Sequence, residues 1–238
     1  MFFQGYTRRR QKEKEKELYE KRKVLELEMM AFRAQINPHF IFNCLSSIQH
    51  HILKSDAETA NLYLHKLSTL IRKTLQSSAS PEILLSEEIS ILKIFLELQK
   101  LRLEDRMEYS LTYTDDVPQQ EISIPSMIIQ PFIENAVKHG ISPDENKKGI
   151  ININISKAGN IIVCEIEDNG IGIHASGKMN QKSAYVSMGS NITDRRIQAI
   201  NSLQEDKVLL EILDKKEIAP ELEGTIVKIT FIIKNPAV

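Results

Sequence analysis

The sequence predicts an α+β protein in which a helical first part is followed by an α/β sandwich. Two observations support this class. From residue 7 to about residue 104, hydrophobic residues recur mainly at helical spacing. From Met107 onward, β-branched runs alternate with helix-like segments in the order strand, helix, strand, strand, helix, strand, strand. This order is typical of a mostly antiparallel sheet that helices cover on one face.

The composition is that of a globular protein with room for two domains, at 238 residues, 42% hydrophobic and 26% charged. The 31 basic and 32 acidic residues give a formal net charge of −1, so we expect no nucleic-acid partner, because nucleic-acid-binding proteins usually carry a basic excess. Cys44 and Cys164 lie far apart without a CxxC spacing, which argues against a disulfide framework and a zinc site. The sequence contains no run of about 18 apolar residues and predicts no membrane-spanning helix.

The first segment, residues 1–35, is predicted to be a long helix. It is rich in Lys, Glu, Arg and Leu, and Leu18, Leu25 and Phe32 recur every seven residues. This heptad favours a short parallel coiled coil, and a single solvated helix is the alternative. Residues 1–5 are compatible with a cloning remnant.

Two further helices are predicted within the rest of the helical part, which we place at residues 36–104. An apolar stripe predicts one helix over residues 56–76, which ends at a segment rich in serine. The next helix is predicted over residues 86–102. Glu87 and Glu88 would lie in its first turn, where negative charge suits the positive end of the helix.

The remaining residues, 105–238, are predicted to form the sandwich. Strands are expected where β-branched or alternating residues run between turn signals, and helices where apolar residues recur at i, i+3 and i+4. The strands are predicted at residues 107–113, 150–156, 161–167, 208–213 and 225–233, and the helices at residues 126–139 and 190–204.

His39 is the first residue that could carry chemistry. Pro38 removes a backbone donor inside an otherwise continuous helix and loosens the turn around His39. Histidine is largely neutral yet nucleophilic near pH 7, and Asn43, four residues on, lies on the same helical face. The alternative is a histidine packed among Phe40 and Phe42, so this motif needs support from elsewhere in the sequence.

A polar motif on a predicted helix of the second part provides that support. Asn135, Lys138 and His139 fall within one helical turn. An amide oxygen can bind Mg²⁺, and the two other side chains can contact phosphate groups. These residue types therefore favour a site for a phosphate group with its Mg²⁺.

Another polar motif follows at the end of a predicted strand. Asp168 there could accept a hydrogen bond from an exocyclic amine, while Gly170 and Gly172 would let the backbone approach a flat ring closely. A DxGxG pattern alone is a common turn sequence. The helix motif followed by the strand-end motif is a much stronger indication of a nucleotide site.

Three motifs in this order resemble the LytS-type sensor histidine kinases of bacterial two-component systems. They are Asn-Pro-His-Phe-Ile-Phe-Asn at residues 37–43, Gln-Pro-Phe-Ile-Glu-Asn-Ala-Val-Lys-His-Gly at residues 130–140, and Asp-Asn-Gly-Ile-Gly at residues 168–172. The resemblance runs from about residue 25 to the end of the chain. It implies a dimerising helical hairpin followed by an ATP-binding domain of the gyrase, Hsp90, histidine kinase and MutL (GHKL, or Bergerat) type.

The resemblance further implies a protein-histidine kinase with ATP and Mg²⁺ as its cofactors. His39, with Asn43 beside it, would be autophosphorylated and would pass the phosphoryl group to an aspartate in the receiver domain of a response regulator. In the ATP-binding domain, the resemblance implies that Asn135 holds Mg²⁺, that Lys138 and His139 face the phosphates, that Asp168 binds the adenine amine, and that Gly170 and Gly172 shape the pocket.

The same resemblance implies how the protein is assembled and where it acts. We expect a homodimer in which residues 1–35 form a signalling helix that enters from a preceding sensor region. The chain would then be the cytoplasmic portion of a receptor that is anchored in the bacterial inner membrane through that sensor region.

One segment departs from the family pattern. The family continues with a glycine-rich GxGLxN segment, of which Gly189 alone matches the glycines, because Ser190 stands at the leucine and Ile192 at the asparagine. Fewer glycines leave fewer backbone amides to wrap a phosphate, so contacts would come from Ser190, Asn191 or Thr193 instead. The alternative function is therefore a non-catalytic dimeric scaffold, a degenerate kinase with weakened ATP binding.

Further positions bear on the reaction. In related hydrolytic ATPases a glutamate one helical turn before the metal-binding asparagine activates water, and here Pro131 stands at that place. This favours transfer to a protein nucleophile over hydrolysis, although Glu134 lies nearby. Residues 174–188 are expected to form a mobile lid, and Arg102 either contacts the nucleotide domain or pairs locally.

Overall fold

The computed structural model describes residues 38–78, 80–114, 116–140, 147–173, 185–203 and 208–233. The predicted coiled coil of residues 1–35 lies outside the described residues. The helices are α1 (Pro38–Leu53), α2 (Ala57–Ser78), α3 (Leu85–Leu103), α4 (Gln130–Gly140) and α5 (Tyr185–Leu203). The strands are β1 (Glu82–Leu84), β2 (Met107–Tyr113), β3 (Ser123–Pro125), β4 (Gly149–Ala158), β5 (Ile161–Asp168), β6 (Val208–Asp214) and β7 (Thr225–Ile232).

Helices α1 and α2 form a hairpin that is closed by a short turn at residues 54–56. Asp56 fixes this turn, because its Oδ1 accepts a hydrogen bond from the N–H of Thr59 at 3.1 Å and its Oδ2 lies 3.2 Å from Nδ1 of His51. The ring of His51 also packs on the ring of Tyr63, with 5.6 Å between the centroids. One side chain therefore joins the end of α1 to the start of α2.

Helix α3 lies between the hairpin and the sheet region. It packs against α2, where Lys66 and Glu97 form an ion pair at 2.6 Å, and also against α4 and β2. Hydrophobic residues on several of its sides are buried, which is typical of a helix enclosed between two layers. The hydrophobic core runs without interruption from Cys44 in α1 to Phe231 in β7. The division of the chain between residues 104 and 105 stays a prediction.

Five strands form one sheet in the order β2-β4-β5-β7-β6. β2 runs parallel to β4, and the other neighbouring pairs of this sheet are antiparallel. Along β4, Ile151, Ile153 and Ile155 are fully buried on the face that α4 covers, whereas the residues between them are exposed on the other face. The predicted α+β class, a helical hairpin followed by an α/β sandwich, is confirmed. β1 and β3 pair antiparallel in a separate two-stranded sheet. The sequence predicted neither of these two short strands.

One predicted helix of the sandwich begins later than expected. The helix predicted over residues 126–139 begins at Gln130. Met127 adopts a φ of 55°, in the left-handed region that a right-handed helix cannot contain. Residues 126–129 therefore form a turn before α4.

Another helix begins earlier than expected. The helix predicted over residues 190–204 begins at Tyr185, so Gly189 lies inside α5 and residues 185–188 of the predicted lid are helical. One interior glycine costs a helix about 1 kcal/mol relative to alanine, which the rest of a helix can offset. The other lid residues, 174–184, lie outside the described part of the chain. No helix among the described residues is long and apolar enough to cross a membrane.

Candidate functional site

The first turn of α1 presents His39 to solvent. His39 is exposed, whereas its neighbour Phe40 packs against Phe95 of α3, with 5.1 Å between the ring centroids. One turn further on, Cys44 is fully buried, and burial raises the pKa of its thiol to about 11. The buried side of α1 therefore fixes the helix while His39 faces outward, and the alternative of a packed histidine is wrong.

Asn43 lies beside the ring of His39, as the spacing of four residues predicted. Its side-chain nitrogen is 3.3 Å from Nδ1 of the imidazole. An amide has a donor end and an acceptor end, so the end that faces Nδ1 decides which ring nitrogen carries the proton. Asn43 is therefore placed to select the tautomer of His39.

Helix α4 has one buried face and one polar face. Its buried residues pack on the sheet and are Phe132, Ile133, Ala136 and Val137. Asn135 and Lys138, three residues apart, are both exposed on the opposite side of the helix. The structure thus brings these two predicted site residues onto one face. The backbone of His139 belongs to the same helix, and its side chain lies outside the described part.

The first turn of α4 also settles the orientation of Glu134. Its Oε1 accepts a hydrogen bond from Nε2 of Gln130 at 2.9 Å, so the carboxylate is directed back along its own helix. Pro131 is accommodated because the first helical turn does not need its missing N–H. Glu134 is half-buried in this position.

Asp168 ends the central strand β5 and is almost completely buried. Its Oδ1 accepts a hydrogen bond from the N–H of Gly170 at 2.8 Å, and the backbone and side chain of Thr225 bond to the same carboxyl group. Burial raises the pKa of Asp168, and the bonds from Gly170 and Thr225 and the charge of Lys215 oppose this rise. A buried carboxyl group held at a strand end is well suited to accept a hydrogen bond from a ligand.

The loop after β5 requires glycine at residue 172. Gly172 has a φ of 78°, and an added Cβ would lie 2.7 Å from Oδ2 of Asp214, which is itself buried. Asn169 ties the other side of the loop to β4, because its side chain accepts from the N–H of Ile150 at 2.7 Å and donates to the carbonyl of Lys148 at 2.9 Å. Gly172 is therefore needed for packing within the protein, and the role at a ring that the sequence predicted stays a prediction.

Sequence reasoning missed three residues around Asp168. Gly224, with a φ of 107°, lies so close that an added Cβ would be 1.9 Å from the backbone oxygen of Asp168. Thr225 follows and bonds to the Asp168 carboxyl group. Lys215 is buried, and its Nζ pairs with Oε1 of Glu167 at 2.5 Å. A Gly-Thr pair just before a β-branched run was the sequence signal that could have indicated the first two.

The segment around Gly189, which differs from the GxGLxN pattern, forms part of α5. Gly189 and Ser190 belong to the helix, and their side-chain surroundings lie outside the described part. Thr193, one turn later, is buried. Phosphate contacts from Ser190 and Gly189 stay a prediction.

Arg102 pairs locally. Its Nε and one terminal nitrogen donate to Oε1 of Gln99, in the preceding turn of α3, at 3.0 and 2.7 Å. Burial lowers the pKa of Arg102, and electrostatic interactions with Cys44 and Tyr63 oppose this decrease. Of the two alternatives for Arg102, the structure shows the local one.

The described residues contain no group of three or more His, Cys, Asp or Glu side chains that could hold a metal ion. Mg²⁺ commonly binds through one or two protein ligands together with substrate phosphates and waters. The exposed amide of Asn135 fits this requirement, because it offers one oxygen ligand from the polar face of α4. A Mg²⁺ ion at this place would therefore take further ligands from phosphate groups and waters.

The sequence is similar to known sensor kinases. A sequence model of the family described as Histidine kinase matches residues 27–107. The sensor histidine kinase BtsS of Escherichia coli K12 is 31% identical over 182 residues, which are 76% of this chain and 30% of that protein. The sensor protein LytS of Oceanobacillus iheyensis is 36% identical over 152 residues, which are 64% of this chain and 25% of that protein. The chain spans about a quarter to a third of the length of these relatives.

A comparison with solved structures matches parts of histidine kinases. The histidine kinase domain of a blue-light activated kinase from Erythrobacter litoralis EL346 has a TM-score of 0.44 and 16% identity, over 91% of this chain and 96% of that one. The catalytic domain of the histidine kinase ThkA has a TM-score of 0.44 and 14% identity, over 66% of this chain and 97% of that one.

Proposed function

We propose that this chain, which belongs to the LytS-type sensor histidine kinases, transfers the γ-phosphoryl group of ATP to His39 and from there to an aspartate of a response regulator. The observation that carries the proposal is the exposed imidazole of His39, 3.3 Å from the amide of Asn43, on a turn that Phe40 anchors to α3. An exposed and oriented imidazole is accessible to a phosphoryl donor. The cytoplasmic side of the inner membrane, below a sensor region, is the proposed location.

The ATP site is proposed on α4 and at the end of β5. These elements pack against each other, and each has a polar group suited to one part of the nucleotide. Asn135 would hold Mg²⁺ and Lys138 would neutralise phosphate charge, with His139 next to it. Asp168 would accept the hydrogen bond of the adenine amine, and Gly170 would leave room for the ring. Positioning and charge neutralisation are the main needs of phosphoryl transfer.

The proposed transfer forms one bond and breaks one. Nδ2 of Asn43 lies 3.3 Å from Nδ1 of His39. Rotation of the amide by 180° would bring its oxygen to Nδ1, where it would accept a hydrogen bond from Nδ1–H and leave the lone pair of Nε2 free. Nε2 attacks the γ-phosphorus, the N–P bond forms, and the bond to the leaving oxygen of ADP breaks. Pro131 offers no base for activating water, and Glu134 is directed toward Gln130, which supports transfer rather than hydrolysis.

A homodimer is proposed to form through the hairpin. Large hydrophobic side chains lie exposed along one face of α1, at Phe42, Leu45 and Ile52, and along α2, at Leu64 and Leu75. Their spacing places the three residues of α1 on one face and the two residues of α2 on one face. An exposed apolar face of this kind marks an interaction surface, and a second copy of the hairpin would present a matching one.

The test of the proposed function is phosphoryl labelling from γ-labelled ATP with Mg²⁺. His39→Gln is expected to abolish labelling while leaving the binding of Mg-ADP unchanged. His65→Gln is the matched control, because His65 is an exposed histidine on the same hairpin and is expected to label normally. Undiminished labelling of His39→Gln would contradict the proposal.

Asn135→Ala tests the metal role separately. We expect it to weaken nucleotide binding in the presence of Mg²⁺ much more than in its absence, because the lost side chain would be a Mg²⁺ ligand. Calorimetric titration with ADP, with and without Mg²⁺, measures the difference. Equal binding of the variant and the wild type in Mg²⁺ would contradict it.

The second candidate function is the non-catalytic dimeric scaffold. The observation that favours it is the position of Gly189 inside helix α5, where helical backbone N–H groups are committed to helical carbonyls and cannot wrap a phosphate. Nucleotide titration decides between the two. The absence of binding at millimolar ATP would favour the scaffold.

A further inference from the structure

Glu88 is the charged residue most completely removed from solvent in α3. The sequence suggested that Glu87 and Glu88 together serve the start of their own helix. In the structure Glu87 is exposed, whereas Glu88 is fully buried and directed away from its helix. Its Oε2 accepts a hydrogen bond from the N–H of Met127 at 3.1 Å, and its Oε1 accepts one from the N–H of Ile129 at 3.3 Å. Both donors belong to the turn that leads into α4.

Helix α4 needs an acceptor from elsewhere at its start. The first N–H groups of a helix have no partner within the helix, and its N-terminus attracts negative charge. The first turn of α4 contains no acidic residue, and the preceding residues Ile128 and Ile129 have side chains that accept no hydrogen bond. The N–H of Gln130, the first residue of α4, also bonds to Glu88. Glu88 therefore performs for α4 the task of an N-terminal cap.

The turn held by Glu88 has an unusual backbone. Met127 is buried and adopts a φ of 55°, a conformation that residues other than glycine rarely take. Such a conformation persists only where surrounding contacts fix it, and it is common near functional sites. The hydrogen bond from Met127 to Glu88 is one contact that fixes it.

Residues of α5 and β5 also interact with Glu88 or with the turn that it holds. Arg196 of α5 donates from a terminal nitrogen to Oγ of Ser126 at 3.1 Å, and its charge favours the ionised form of Glu88. Burial, together with the negative charge of Glu88, raises the pKa of the Cys164 thiol in β5. Burial raises the pKa of Glu88 to about 7, and the three backbone donors and Arg196 oppose that rise.

We propose that Glu88 is a positioning residue for the nucleotide site, which holds the start of α4 and thereby sets the polar face that carries Asn135 and Lys138. It touches no substrate in this role, and it acts from α3, the helix that also packs against the hairpin. Its part in nucleotide binding rests on the proposed function, whereas its hold on α4 does not.

Glu88→Gln tests the proposal in the full chain. The substitution keeps the size of the side chain but turns an N–H donor toward one of the backbone N–H groups, so one hydrogen bond is replaced by a repulsive contact. In the nucleotide-free protein we expect hydrogen exchange of the amides of residues 127–137 to become about tenfold faster, with α2 unchanged. Binding of Mg-ADP is expected to weaken about tenfold.

Two further variants keep the test decisive. Glu87→Gln removes the same charge from the exposed neighbouring position and is expected to match the wild type in both measurements. If Glu88→Gln does not fold, Arg196→Gln leaves Glu88 in place and is expected to accelerate exchange in the same residues to a smaller extent, while Arg196→Lys, which retains the charge, restores part of the protection.

The outcomes distinguish the hold of Glu88 on α4 from its effect on nucleotide binding. Wild-type exchange at residues 127–137 in Glu88→Gln, or equal acceleration throughout the chain, would overturn the positioning role. Local acceleration with unchanged Mg-ADP affinity would overturn the link to the nucleotide site. Failure of the unsubstituted protein to bind Mg-ADP would overturn the proposed function and this link with it, while the exchange data would still decide whether Glu88 holds α4.

Discussion

The hairpin and the sheet region cover their hydrophobic residues in different ways. On the hairpin, Phe42 is 67% exposed and Leu53 is 76% exposed. In the sheet region, Ile151 and Ile153 of β4 are fully buried beneath helices of the same chain. One chain therefore completes the core of the sheet region, whereas the hairpin leaves an apolar face that a second molecule can cover.

Gly224→Ala, in the sheet region, is expected to cause the greatest loss of stability. An added Cβ would lie 1.9 Å from the backbone oxygen of Asp168, at a φ of 107°. Because a strand backbone cannot move aside as a flexible side chain can, we expect the free energy of unfolding to fall by about 4 kcal/mol. Urea unfolding measures this loss.

Gly159→Ala is the matched control for Gly224→Ala. Gly159 also has a positive φ, of 62°, but nothing lies within 4 Å of an added Cβ. The expected loss is therefore only the conformational one, about 1 kcal/mol. Equal losses in the two variants would show that the contact at Asp168 is not tight.

Asp168→Asn tests whether the proposed ligand site of the sheet region depends on the Asp168 carboxylate. An amide in place of the carboxylate loses the charge-assisted bonds, so we expect Mg-ADP to bind about 10- to 100-fold more weakly while the dimer is retained. Titration calorimetry measures the affinity. Asp194→Asn, at an exposed position of α5, serves as the control and is expected to bind Mg-ADP like the wild type. Unchanged affinity in Asp168→Asn would refute its role at the adenine.

Leu64→Glu tests whether the exposed apolar face of the hairpin forms the dimer interface. Leu64 is 49% exposed on the hairpin and Leu209 is 46% exposed on the edge strand β6, so the two side chains differ in place rather than in exposure. A charge in a dimer interface costs about 2 kcal/mol or more, so Leu64→Glu is expected to shift the protein toward the monomer and Leu209→Glu is not. Sedimentation velocity distinguishes them, and a dimer that survives Leu64→Glu contradicts the hairpin interface.

The weakest effect is expected at the contact between the hairpin and α3, the helix that separates it from the sheet region. Lys66 of α2 and Glu97 of α3 pair at 2.6 Å, with side chains that are 24% and 41% exposed. Partly exposed ion pairs contribute about 0.5 kcal/mol. A double-mutant cycle with Lys66→Ala and Glu97→Ala should give a coupling energy near this size. A coupling of several kcal/mol would mean that this pair, rather than apolar packing, holds the hairpin against α3.

Local patterns predicted the elements whose cause is local. The strand at residues 107–113 has the predicted bounds, because its residues alternate between two faces. Asn43 lies beside His39 because a helix places residues four apart on one face. The exposed face shared by Asn135 and Lys138 follows from the same periodicity.

The features that the sequence did not predict depend on residues far apart in the chain. α4 begins at Gln130 because Met127 adopts a positive φ, and the acceptor that holds Met127 is Glu88, 39 residues earlier. Thr225 joins the candidate site because β7 pairs with β5 and brings it to Asp168. No local pattern contains such a pairing, since it arises only when the sheet and the helices pack together.

Mapping the labelled residue shows whether His39 accepts the phosphoryl group. Wild-type protein labelled from γ-labelled ATP with Mg²⁺ can be digested at neutral or alkaline pH, and the labelled peptide can be sequenced. We predict a single label on His39, within the peptide that covers α1, which is lost in acid as expected for a phosphorylated imidazole. An acid-stable label, or a label on any other residue, would show that His39 is not the phosphorylated residue.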